Sequence, residues 1–373
     1  MKRELERIEI PGEHDARVRT WEVVQAAFSE HESVPRRERL VRPVLVLAAF
    51  AAVATATFSP PGQAVIDRVR EAIGVEDADE ALFSLPTGGR LLVESAGGPW
   101  IVQPDGSKRR LGDYREASWS PFGRFVVAAR RNELAALEPD GDVRWSLARP
   151  DVRAPRWGGT RTDTRIAYLS GAELRVVAGD GRGDRVLARR SAPVAPAWRP
   201  RSRHVLTYAT QAGEIVTVDA ERRRELWRAA ARGRVEELAW SSDGRRLLVL
   251  RGGRVDLLTR AGVHWTGIRP ESGTVLAAAF RPGSHAIAYA VERGQRTQLA
   301  LVAEGGGELF SAAGRLDEVA WSPDGRWLLL GWREADQWVF VRATRTSRIA
   351  AVASISAQFG GTFPRVAGWC CPR

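Results

Sequence analysis

The residues best suited to metal or redox chemistry are five histidines and two cysteines, and their spacing gives neither chemistry a site. His14, His31, His204, His264 and His285 stand alone, without the short intervals a zinc site uses. Cys370 and Cys371 are adjacent, and a trans peptide sets their Cα atoms about 3.8 Å apart, below the usual span of a disulfide. No disulfide framework is expected. The sequence contains no Gly-x-Ser-x-Gly, which excludes a hydrolase built on a nucleophile elbow. Gly179, Gly181 and Gly183 do not form a Gly-x-Gly-x-x-Gly opening a helix and read as a hairpin turn, with Arg182-Gly183-Asp184 an incidental tripeptide beside them. The recurring Asp-Gly pairs lack the clustered oxygens of a calcium loop and read as turn formers. Neither cofactor nor metal is expected. An enzyme acting on polysaccharide could still use carboxylates gathered in a channel, which spacing along the chain does not reveal.

The charge is +11, from 56 cationic and 45 acidic residues, but only Lys2 and Lys108 are lysines and the rest are arginines. They are spread rather than blocked, so no nucleic-acid partner is expected. With heavy use of alanine and glycine, this points to a high-GC genome. A composition of 44% hydrophobic and 27% charged residues excludes a wholly disordered or collagen-like chain. A length of 373 residues suits several domains or one large all-β or α/β unit. The fourteen tryptophans, against one methionine and four tyrosines, imply one structural role used many times.

That role is visible in an internal repeat from Ser118 onward. The segments begin at Trp119 (WSPFGRFVVAA), Trp157, Trp198, Trp240 (WSSDGRRLLVL), Phe280 and Trp321 (WSPDGRWLLLGW), at intervals of 38, 41, 42, 40 and 41 residues. Each unit parses as a short strand ending in the aromatic, a turn, an apolar strand, a loop, a third strand, a second turn and a fourth strand. Four antiparallel strands in about forty residues form a β-propeller blade, whose faces are buried only by its neighbours. The aromatic is expected to fill the wedge between blades. Gly89 to Leu111 matches the last three strands of a blade, with Leu85 in the aromatic's place, while Val366 to Trp369 matches an innermost strand with nothing after it. Pairing the two closes the ring and hides its edges. The expected fold is all-β, a seven-bladed β-propeller of four-stranded blades closed by the C-terminal strand, with Trp369 as the seventh repeat aromatic.

The stretches WSPDGRWLLLGW and WSSDGRRLLVL resemble the repeat of TolB-like (PD40) propellers, a WD40-like family also found beneath the catalytic domains of prolyl oligopeptidases. The resemblance covers residues 85–373, is closest at Trp240 and Trp321, and loosens at Trp119, Trp198, Trp157 and Phe280. Hairpins ending at Trp145 and Trp227 also resemble quinoprotein-type repeats. Together with the anchor below, the chain looks like an actinobacterial type of this family. The resemblance implies binding or scaffolding rather than catalysis.

Ahead of the repeats, Pro43 to Phe58 carries no charge, and extension to Leu40 adds only Arg42, which snorkels. As a helix, these nineteen residues rise about 28 Å, close to the thickness of a bilayer core. A buried Ala-rich helix of a soluble domain is the alternative. A cleaved signal peptide fits less well, because some forty residues precede the run. Arg36, Arg37, Arg39 and Arg42 before the span place the N-terminus inside the cytoplasmic membrane. Residues 1–40 are read as a cytoplasmic helical segment, 41–60 as a transmembrane helix, 61–84 as a stalk helix and linker, and 85–373 as the propeller. Within the first, His14 to Glu32 carries Val18, Trp21, Val24 and Phe28 at helical spacing. This amphipathic helix lies on the membrane or docks a cytoplasmic partner at residues 14–32.

In a four-stranded meander the second loop and the connection between blades share one face. Here that face, away from the membrane, gathers Arg130, Arg131, Arg149, Arg153, Arg189, Arg190, Arg232, Arg251, Arg293 and Arg315, against fewer acids. These arginines are solvated side chains or a positive surface for an acidic protein or anionic cell-envelope polymer. The expected function is a single-pass, membrane-anchored, non-enzymatic platform for extracytoplasmic binding or sensing. The order of helix, span and external domain is also similar to that of anti-sigma factors, although the His/Cys zinc signature of many of these is absent.

Overall fold

In the computed structural model, residues 78–79, 84–230, 233–302, 307–343 and 348–371 are described. Seven antiparallel sheets of four strands account for nearly all of them. Blade 1 is composite: the strand Arg365–Cys370 is followed across the sheet by Arg90–Ser95, Gly98–Val102 and Lys108–Arg110. Blades 2 to 7 then follow in chain order, with innermost strands Glu116–Trp119, Val152–Gly159, Ala197–Trp198, Val235–Trp240, Thr274–Phe280 and Leu316–Trp321. The seven blades and the closing strand therefore match the sequence reading. Trp369 pairs with Leu91 and Val366 with Val93.

Buried residues fall into seven clusters, and each draws on two consecutive blades. No blade has a core of its own. Second strands are therefore apolar on both faces, as in the fully buried runs Leu247–Leu250 and Leu328–Leu330, whereas fourth strands such as Arg224–Ala230 alternate exposed and half-buried residues. The repeat aromatics sit between blades. Trp119, Trp157, Trp240, Trp321 and Trp369 are buried, and Trp198 and Phe280 half-buried. The indole N–H of Trp198 donates to the Arg156 carbonyl at 2.9 Å, that of Trp321 to the Ala279 carbonyl at 3.1 Å, and that of Trp240 to Thr207 Oγ1 at 3.2 Å, each in the preceding blade. Arg199 and Arg281, one residue after the aromatics of blades 4 and 6, lie over the Trp240 and Trp321 rings.

The packing leaves no room at Gly158, where an added Cβ would lie 2.2 Å from Trp198 Cγ. Gly158→Ala is expected to destabilise the protein by about 1–3 kcal/mol through overpacking, seen as a lower midpoint in thermal melts.

Turn chemistry follows the repeat. Gly123, Gly244, Gly283 and Gly325 adopt φ of 64–70°, which glycine tolerates without a Cβ clash. In blades 5 and 7 the aspartate before this glycine ties the turn: Asp243 Oδ1 accepts from Ser241 Oγ at 2.6 Å and the Arg245 N–H at 3.0 Å, and Asp324 Oδ1 does the same with Ser322 and Arg326.

The structure corrects one expectation and adds to another. Cys370 and Cys371 are joined in a vicinal disulfide with Cα atoms 3.5 Å apart. The usual span describes cysteines from separate strands, whereas neighbours close a small ring of their own, here with Cys371 at φ 62°. Ala78–Asp79, within the expected linker, pairs in parallel with Ile349 and Ala350 at the outer edge of blade 7. The expected cytoplasmic helix, membrane span and stalk helix lie outside the described residues. Among the described residues, no helix is long and apolar enough to cross a membrane.

Candidate functional site: the charged lumen

The inner strands enclose a lumen of about 1020 Å³. The position three residues before each repeat aromatic lines it in every blade: Glu116, Ala154, Ala195, Glu237, Ala277, Glu318 and Val366. Simple alternation along a strand does not predict this. In blades 1, 5, 6 and 7 one extra residue, Ala367, Glu236, Leu276 or Asp317, interrupts the pairing beside that position, and such a bulge re-aims side chains.

Charge is divided around the lumen. Arg365, Arg115, Arg153 and Arg156 come from blades 1 to 3 beside Glu94 and Glu116, and Glu236, Glu237, Asp317 and Glu318 from blades 5 and 7 beside Arg333, with small residues of blades 4 and 6 between them. Several carboxylates are already committed to the scaffold. Glu94 accepts the Ala117 N–H at 2.7 Å and Arg365 Nε at 3.0 Å. Glu116 accepts the Ala154 N–H, and Glu318 Oε1 accepts the Val366 N–H at 3.1 Å, so these side chains staple neighbouring inner strands together. Other groups face the lumen without such bonds. Glu318 Oε2 and Asp317 Oδ1 are buried with no hydrogen-bond partner among the described residues. Arg156 donates to the carbonyl of Pro155, its own neighbour.

Enclosure shifts the protonation of these groups. Glu237 is exposed to the lumen yet has protein around it on every side. That burial raises its pKa, opposed by Arg156 and Arg365. Burial likewise raises Glu94 against the pull of Arg365. Arg156 is lowered, first by burial and then by repulsion from Arg365, with Glu94, Glu116 and Glu237 opposing. Glu318 is pushed up to about 7, chiefly by burial with Asp317 adding to it, against the Val366 N–H, Arg365 and Arg333.

The strand order places the described arginines of the expected basic surface on one face, but much of their charge is answered locally. Arg130 pairs with Glu133, Arg153 with Asp151 and Arg251 with Asp256. Arg149 meets Asp184 at 2.8 Å, Arg189 meets Glu173 at 2.8 Å, and Arg315 meets Glu292 at 3.5 Å. Arg293 donates to the Ser272 carbonyl. Arg131 and Arg190 are exposed on this face, and Arg232 lies outside the described residues. The surface is a mesh of ion pairs rather than a bare positive field, and exposed pairs of this kind add little stability. Sequence reading singled out these arginines and, apart from Arg153, missed the charged lumen residues. The recoverable signal was the fixed offset from the repeat aromatic.

No family model matches the chain, and no characterised protein matches it in sequence. Solved structures do. The β-propeller domain of Cps50 (Swd1) from Myceliophteria thermophila is similar at 16% identity and TM-score 0.53, over 67% of this chain and 96% of that one. A chain of the mitotic checkpoint complex is similar at 15% and 0.53, over 75% and 86%. A putative 6-phosphogluconolactonase from Bacteroides uniformis is similar at 12% and 0.53, over 77% and 99%. At these identities the likeness shows the fold, a β-propeller.

Proposed function

We propose that this protein is a non-enzymatic binding platform of TolB-like, PD40 type, anchored by residues 41–60 with its N-terminus inside and its propeller on the outer side of the cytoplasmic membrane. The observation that carries the binding role is the lumen, in which arginines of blades 1 to 3 oppose carboxylates of blades 5 and 7 that, among the described residues, keep unbonded oxygens at Glu318 Oε2 and Asp317 Oδ1. Such a site suits a protein segment bearing both charges, because each half desolvates its counterpart's ion in a paired state. One similar propeller belongs to a mitotic checkpoint complex, which fits a protein partner. Residues 60–373 form a compact unit and serve as bait for solubilised cell envelope. Capture of a defined protein that is lost with Arg156→Glu and with Glu237→Arg is the expected result. Equal capture by both variants rejects the lumen as the site. Acidic polymers bound to the opposite surface are expected to be released by charge reversal at Arg130, Arg131, Arg189 and Arg190, and unchanged binding rejects that partner class.

A second reading rests on Glu318. A carboxyl raised to about 7 beside Asp317 in a cavity has the properties of a general acid for glycoside cleavage. Turnover of a polysaccharide panel that disappears in Glu318→Gln supports an enzyme, and its absence leaves the binding role.

A further inference from the structure

A second cavity, of about 610 Å³, opens between blades 2 and 3 at the face bearing the Asp-Gly turns. It is separate from the lumen and does not depend on the reading given to it. Phe122, Phe125, Trp145 and Trp157 contribute its aromatic lining, and Arg124 and Arg161 its free cations.

Three residues after the repeat aromatic, blades 3, 4 and 6 carry Thr160, Arg201 and Gly283, blades 5 and 7 an aspartate, and blade 2 alone among these six a large aromatic, Phe122. In WSSDG and WSPDG the corresponding residues are Asp243 and Asp324, which bind the turn's own serine and N–H groups. Blade 2 reads WSPFG, so its turn forgoes those bonds and sets out an aromatic ring that is 46% exposed. What the exchange returns to the fold is one cation–π contact across to blade 3. Arg161 of blade 3 lies over the ring at 5.0 Å and Arg124 over Phe125 at 5.5 Å, and neither meets a carboxylate within ion-pair distance among the described residues. Deeper in, Trp157 is 8% exposed and stacks on Phe125, and its indole N–H, like those of Trp119 and Trp369, has no partner among the described residues, whereas those of Trp198, Trp240 and Trp321 are bonded. A buried donor without an acceptor is costly unless something supplies one.

We infer that this cleft holds an acidic peptide segment of a partner protein, with one bulky apolar side chain against Phe122 and Trp157 and flanking carboxylates on Arg124 and Arg161. Its volume lies in the range that admits such an anchor. Aromatic contact supplies the buried hot spot and the arginines the charge match.

The test pans a random dodecapeptide display library on the full chain, then measures enriched peptides by fluorescence anisotropy. Enrichment of an aromatic or leucine flanked by Asp and Glu is expected, with affinity falling as salt rises. Phe122→Asp restores the repeat's own turn, so its melting temperature is expected to stay within about 2 °C of the parent's while affinity drops at least tenfold. Arg161→Glu is expected to weaken binding as much, and Phe122→Leu to retain most of it. Failure to enrich, enrichment of basic or uncharged sequences, or equal binding by Phe122→Asp and Arg161→Glu overturns the inference. So does retention of the full chain by phosphatidylglycerol vesicles through Phe122 and Arg161 with no acidic peptide selected.

Discussion

Trp369→Ala is expected to cost about 3–5 kcal/mol, because a large buried aromatic is deleted where the surroundings cannot collapse. For a domain of this size that corresponds to a melting temperature lower by roughly 10 °C. The residue pairs with Leu91 and is packed with Val93, Phe340 and the seam cluster that also holds Trp338, Phe359 and Phe363. Phe340 meets the Trp369 ring at 5.9 Å, and Phe359 lies 5.2 Å from Trp338 and 5.9 Å from Trp100. Within blade 1 the strands Arg365–Cys370 and Arg90–Ser95 come from opposite ends of the described chain, so side-chain packing, the strand ladder and hydrogen bonds such as that of Arg365 to Glu94 hold the joint. Val263→Ala, at a site 62% exposed, is the control and is expected to change stability by less than about 0.5 kcal/mol. Calorimetry of the two variants decides the matter, and equal midpoints would mean the seam is not where the ring is secured.

The second large effect is a change in how stability depends on pH. Glu318 is raised in the folded protein to about 7 from an ordinary carboxyl value of 4.5. Below pH 4.5 both folded and unfolded forms carry the proton and the residue is neutral to stability. Between 4.5 and 7 the unfolded chain releases the proton and the folded one keeps it, so stability declines as pH rises through this window and stays lowered above it. Glu318→Gln keeps an oxygen for the Val366 N–H and removes the titration. The variant is expected to gain roughly 1–3 kcal/mol at pH 8 and almost nothing at pH 4, the size following from about 1.4 kcal/mol per pKa unit. Denaturant melts across that range are the measurement, and parallel curves for parent and variant would falsify the assignment.

The fold was legible because its determinants are local and repeated. A tryptophan at a forty-residue period, Asp-Gly turns at fixed offsets and unbroken apolar second strands each recur often enough to reinforce one another, and Val366 to Trp369 supplied the strand that Gly89 to Leu111 lacked. The lumen was less legible because a bulge at Glu236, Leu276, Asp317 or Ala367 shifts which side chain faces inward, and two-residue alternation hides that shift. Local pairing of charge was hidden for a different reason. Arg149 and Arg189 are close to carboxylates distant in sequence, at Asp184 and Glu173, so a count along the chain overstates the field they produce. Phe122 stands in plain sight within WSPFG, but its difference from Asp243 and Asp324 gains meaning only when Arg161 and Trp157 are placed beside it.

The composite blade sets a timetable for maturation. Arg365 reaches Glu94 across 271 positions, so the apolar strand Arg90–Ser95 lacks its mate until Arg365–Cys370 has been synthesised. Contacts so distant along the chain form late and slowly. During that interval six sheets can stack in sequence while the first presents an unpaired flank. A nascent chain stalled before Arg365 is therefore the form most open to capture by a chaperone or to exchange of its missing strand with another copy.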